Sequence, residues 1–83
     1  MVRIGTRTKL TPEEVVRRAV RFFGPAGRYG LEVTGETGVS ACFEGGGGRV
    51  EVTACAEEDG RRTQVDVVAR EWEEAAKQFI TSL

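Results

Sequence analysis

The 83-residue chain contains no histidine and no asparagine, and only two prolines and two cysteines. Without histidine there is no imidazole to act as a general base, to activate a cysteine or to bind a transition metal. Cys42 and Cys55 match neither a C-x-x-C pair nor a metal-binding spacing, so two free thiols are expected. No stretch approaches the roughly 20 apolar residues of a membrane-spanning helix, and the start Met1-Val2-Arg3-Ile4-Gly5-Thr6-Arg7 lacks the apolar run of a signal peptide. A cytoplasmic protein with no membrane partner is therefore expected. Neither sign of charge dominates, since 12 basic residues stand against 13 acidic ones for a net charge of −1. Such a balance supplies no global attraction to nucleic acid. Neither a metal-ligand cluster nor a complete catalytic or cofactor motif is present, so an enzyme is not expected and no cofactor is implied.

Hydrophobic residues at 40% and charged residues at 30% are the proportions of a globular protein. A chain this short forms one domain and buries only about 60 to 65% of its unfolded surface, so every element must share one compact core. Residues 2 to 10 alternate, with Val2, Ile4, Thr6, Thr8 and Leu10 on one face and Arg3, Gly5, Arg7 and Lys9 on the other, which predicts a half-buried strand with a basic outer face. Thr11-Pro12-Glu13-Glu14 then reads as a capping box opening a helix, with Val15, Val16, Ala19, Val20, Phe22 and Phe23 along its apolar stripe. Gly24-Pro25 ends that helix, with glycine expected in a left-handed cap.

Four further strands follow. Leu31 to Thr34 and Val39 to Glu44 are joined by a turn at Gly35-Glu36-Thr37-Gly38. Arg49 to Glu57 pairs back across Gly45-Gly46-Gly47-Gly48, setting Phe43 opposite Val50, Ala41 opposite Val52 and Val39 opposite Ala54. With a two-residue type I′ turn at Asp59-Gly60, Arg62 to Arg70 sets Thr63 opposite Ala56, Val65 opposite Ala54 and Val67 opposite Val52. Every inward residue then shares one face, and the other face is charged. A closing helix over Glu71 to Leu83 carries Trp72, Ala75, Ala76, Phe79, Ile80 and Leu83 on its apolar side. The expected fold is a two-layer α+β domain, β-α-β-β-β-β-α, with an antiparallel five-stranded sheet and both helices on one face.

The segments Thr11-Pro12-Glu13-Glu14-Val15-Val16 after the first strand and Arg70-Glu71-Trp72 through Phe79-Ile80 at the end carry a resemblance of topology. In element order the chain resembles the fold of a TATA-box-binding-protein repeat and, with more strands, that of the Bet v 1 and START-like helix-grip proteins. The first resemblance implies DNA binding through apolar side chains on the open sheet face. That face here would carry Glu32, Glu44, Glu51, Glu57 and Asp66, so nucleic acid is not an expected partner. The second implies a small apolar ligand held between sheet and C-terminal helix, for which Phe22, Phe43, Val52, Val67, Trp72 and Phe79 are the candidate binding residues. The alternative is a homodimeric or partner-binding module that uses the edge of the first strand. A weak nucleic-acid binder using Arg3, Arg7, Lys9, Arg17, Arg18 and Arg21 stands third.

The four glycines in a row lead from strand to strand rather than into a helix, and no Gly-Lys-Ser or Gly-Lys-Thr follows, so a phosphate-cradling loop is not indicated. They also exceed what a tight turn requires.

Overall fold

A computed structural model describes all residues, Met1–Leu83. The elements are β1 (Val2–Thr8), α1 (Pro12–Phe23), β2 (Glu32–Glu36), β3 (Ser40–Gly45), β4 (Gly48–Ala56), β5 (Thr63–Arg70) and α2 (Glu73–Thr81). They form one open antiparallel sheet in the order β1-β5-β4-β3-β2, with β1 and β2 at its edges. On the covered face α1 lies over β3 and β4, and α2 over β1 and β5. The α+β architecture read from the sequence is the one observed.

Register follows from alternation. Phe43 pairs with Val50, Ala41 with Val52, Val52 with Val67, Ala54 with Val65 and Ala56 with Thr63, as the sequence pattern requires. A slip of one residue would turn the inward row Val50, Val52 and Ala54 to water. The buried core joins these residues to Val15, Val16, Ala19 and Phe23 of α1 and to Ala75, Ala76 and Phe79 of α2. Removing each fully buried Phe23, Phe43 or Phe79 side chain from water contributes about 1.5 to 3 kcal/mol.

Buried Thr8 and Thr63 are placed by the same alternation, and both serve the connection from β1 into α1. The Thr63 hydroxyl donates to the Leu10 carbonyl at 2.6 Å, and the Leu10 N–H donates to Thr8 Oγ1 at 3.3 Å. Thr11 then caps α1. Its Oγ1 accepts from the Glu14 N–H at 3.2 Å, while its own N–H and hydroxyl donate to Glu14 Oε1 at 3.2 and 3.1 Å.

Several local expectations are corrected. The closing helix runs over Glu73–Thr81 rather than from Glu71, because the chain bends sharply first and Glu71 adopts φ +71°. Gly24 is extended, not left-handed, and any side chain there would strike the Val20 carbonyl. A bulge between Val33 and Gly35 lengthens β2, which moves the turn to Thr37–Val39 and leaves Val39 48% exposed. Ala56 is also exposed, at the far end of β4. Of Asp59 and Gly60 only Gly60 has positive φ, so the turn is not type I′; its closing bond runs from the Gly60 N–H to the Glu57 carbonyl, and the predicted register survives.

Among the four glycines, only Gly46 and Gly47 form the turn, with φ of 57° and 79°. Both values positive is what a two-residue type I′ hairpin demands. Gly45 and Gly48 are paired strand residues. A side chain on Gly45 would meet Leu31 Cδ2 at 2.8 Å, one on Gly46 would meet Trp72 Cζ2 at 2.8 Å, and one on Gly48 would overlap the Arg70 carbonyl and meet Trp72 Cδ1 at 2.9 Å. The excess of glycine is a seat for Trp72, whose Nε1–H donates to the Gly45 carbonyl at 2.8 Å.

Two predictions arise. Gly48→Ala, which overlaps backbone, should cost roughly 3 kcal/mol in denaturant unfolding, whereas Gly47→Ala, which meets only a backbone penalty, should cost about 1 kcal/mol. Hydrogen bonds from Thr11, reinforced by Arg17 and Arg18, hold the Glu14 carboxyl below its ordinary value of 4.5. A depressed carboxylate stabilises the fold above its unfolded value and loses that contribution as pH falls through the folded one. Glu14→Gln should therefore flatten the dependence of melting temperature on pH below 4.5, as followed by circular dichroism.

Candidate interaction surface

The six residues predicted to line a ligand cavity all reach the sheet–helix interface. Phe43, Val52, Val67 and Phe79 are buried there, and Phe22 and Trp72 are half-buried. They do not surround an empty space. Ring centroids lie 5.5 Å apart for Phe22 and Phe79, 5.4 Å for Phe23 and Phe43, and 5.4 Å for Phe23 and Phe79, with Tyr29 5.6 Å from Trp72. Each is direct aromatic contact. The five depressions on the molecule all open to solvent, and none is lined by Phe43, Val52, Val67 or Trp72. Phe22 and Phe79 form the floor of a cleft between the helices, bordered by Arg18, Arg21 and Ser82.

The uncovered sheet face carries no aromatic ring. Pairing across the strands aligns Arg70, Arg49, Glu44 and Glu32 in one row and Arg3, Val68, Glu51 and Cys42 in the next. Arg49 lies 3.8 Å from both Cys42 Sγ and Glu51 Oε2. The neighbouring Cys42 sulfur, then Glu51 and Glu44, push the Arg49 pKa further up, so this cation is fixed. The Cys42 thiol in turn donates to Glu51 Oε2 at 3.5 Å. No three histidine, cysteine, aspartate or glutamate side chains converge to hold a metal ion. Both thiols are free.

The arginines considered for nucleic acid are divided among several depressions, with Arg18 and Arg21 also bordering the cleft between the helices. Arg7, Lys9 and Arg18 share one depression with Arg62, while Arg17 and Arg21 face another that contains Glu36. Arg3 lies in the row of the open face beside Val68. Arg62 was not among the sequence candidates, because its place two residues after a turn glycine resembles an ordinary strand end.

The two sheet edges differ. β1 pairs with β5 through seven consecutive residues without a break, and the backbone of Val2–Thr8 makes no hydrogen bond except to β5. Its outer row of N–H and C=O groups is thus open to another strand. β2 is five residues long and interrupted by its bulge. The bulge also separates its charges: Glu32 pairs with outward Glu44, but Glu36 pairs with buried Ala41.

Comparison with known proteins gives no match: no protein-family model, no curated protein and no solved structure matches this chain.

The charge on β1 bears on self-pairing. Two copies aligned antiparallel about Gly5, the register of greatest overlap, would set Arg3 against Arg7 twice, and like charges directly opposite destabilise a strand pair. Arg3→Glu would turn both juxtapositions into opposite-charge pairs. Sedimentation at low salt should show Arg3→Glu associating more strongly than the wild type, by up to about 1 kcal/mol per pair; stronger self-association of the wild type would contradict this picture of the edge.

Proposed function

We propose that the protein is a non-catalytic interaction module that accepts an extended, acidic segment of a partner as a sixth strand along β1. The observation that supports it most is the unpaired outer backbone row of Val2–Thr8, uninterrupted by proline or bulge and flanked by Arg3 and Arg7 on one face. In strand addition the main chain supplies affinity and alternate side chains supply specificity. Arg3 and Arg7 are four residues apart, so a matching partner carries two carboxylates four apart on the same face. Between them, the space over Gly5 is taken by the Asp66 and Gln64 side chains of β5. On the other face Val2, Ile4 and Thr6 are half-buried and favour apolar partner side chains.

Arg7 already donates to Glu57 at 2.9 Å. Both groups are solvent-accessible, and such an exposed pair is worth only about 0 to 1 kcal/mol, so a partner carboxylate can compete for the guanidinium. The edge of β2 does not supply the matching strand from a second copy, because Glu32 and Glu36 point to opposite faces.

An apolar small molecule is the second reading. Its support is the cleft floored by Phe22 and Phe79, with Arg18 and Arg21 at its border. A ligand there would remain largely solvated, whereas typical small-molecule sites bury most of the ligand's surface.

Fluorescence anisotropy with labelled extended peptides tests strand addition. A peptide with glutamates four apart should bind, weaken with salt and lose about tenfold affinity against Arg3→Glu, the equivalent of one charge-assisted contact. Equal affinity for the corresponding lysine peptide, or amide shifts on binding that spare Val2–Thr8, would rule it out.

A further inference from the structure

At the end of the molecule where β1, α1, β5 and α2 converge lies a depression of about 450 Å³ lined by the cations Arg7, Lys9, Arg18 and Arg62 together with Thr8, Leu10, Ser82 and Leu83. We propose that it binds a multiply charged oxyanion of the phosphate or pyrophosphate class. Its lining contains four cationic side chains and no acidic one, in a chain whose overall charge is −1. Charge has been segregated here rather than interspersed.

Of the nearby carboxylates, only Glu57 forms an ion pair with one of these cations, Arg7. Glu14, one helical turn before Arg18, is held by the Thr11 N–H and hydroxyl. Glu57 pairs with Arg7 alone, and Lys9, Arg18 and Arg62 make no ion pair. Four like charges around one concavity raise one another's energy, and an anion bound among them relieves that repulsion. Guanidinium groups match phosphate oxygens in a two-pronged geometry, and the lysine adds a point charge. The spacing is set by the fold. Arg7 is fixed by the β1–β5 ladder, Arg18 by a capped helix, and the Leu10 backbone beside Lys9 by hydrogen bonds involving Thr8 and Thr63.

A competing structural role exists for these cations. The carbonyl end of α2 lies at this depression and has no basic residue in its own last turn, so nearby cations also offset its dipole. That role would affect stability without creating a ligand site, and the two consequences are separable by experiment. The oxyanion site shares Arg7 with strand addition along β1, but Arg18 and Arg62 lie outside that strand and separate the two by mutation.

Isothermal titration of the full chain with sodium pyrophosphate at low ionic strength, beside orthophosphate and sulfate, provides the test. Saturable one-site binding is expected, with pyrophosphate tighter than either smaller ion. Arg18→Glu and Arg62→Glu should each weaken it at least about tenfold, while Arg17→Glu, on the same helix but outside the depression, should not. The milder Arg18→Gln and Arg62→Gln serve if charge reversal impairs folding. Absence of saturable heat at about 1 mM ligand would overturn the proposal. So would equal weakening by Arg17→Glu, or a lowered melting temperature in the Arg18 and Arg62 variants with unchanged pyrophosphate binding.

Discussion

Trp72 lying against the Gly45–Gly48 hairpin is the contact on which the rest of the architecture depends. The indole occupies space that side chains at Gly46 and Gly48 would fill, and its Nε1–H satisfies the Gly45 carbonyl. Residues 27 positions apart are joined, so the tip of the β3–β4 hairpin is tied to the junction between β5 and α2. Glu71 takes a left-handed conformation at that junction, which costs roughly 1 to 2 kcal/mol for a non-glycine residue. Trp72 packing and its hydrogen bond, with the bond from the Glu71 N–H to Glu73 Oε2 at 3.0 Å, offset this cost. From Trp72 the aromatic contacts run through Tyr29 and Phe22 to Phe23, Phe79 and Phe43, linking both helices to the sheet.

Filling the interior in this way determines where chemistry can occur. The rings that could have lined a ligand cavity instead touch one another, and the central strands β4 and β5 are paired on both sides. What stays available is peripheral: the backbone of β1, the cleft between the helices, and the basic depression at one end. The first offers directional main-chain hydrogen bonds. The last offers three cations, Lys9, Arg18 and Arg62, that make no ion pair, beside an Arg7 paired with Glu57. Both are suited to recognition.

Alternation along the chain is enough to establish the five strands and the β3–β4 and β4–β5 registers, because burying one face leaves a single consistent pairing. Thr11 through Glu14 specified the start of α1 through side-chain and backbone hydrogen bonds that are local in sequence. The bulge in β2 was hidden, since Gly35 and Glu36 look equally suited to a turn. Trp72 fits the periodicity of α2 in sequence, although the left-handed Glu71 places it before the first turn. Its use of the glycines depends on a contact across 27 residues that no local pattern reveals. At the candidate sites, Arg3, Arg7 and Lys9 were legible as a basic stripe on an edge strand. The grouping of Arg18 and Arg62 with Arg7 and Lys9 required three-dimensional convergence of four elements.

Hydrogen exchange of the Trp72 indole Nε1–H, followed by NMR, tests the central role of this contact most directly. If Trp72 clamps the hairpin to the β5–α2 junction, that proton should exchange only through global unfolding, with the same protection as the core amides of β4 and β5. Exchange near the rate of a free indole while those amides remain protected would contradict the account.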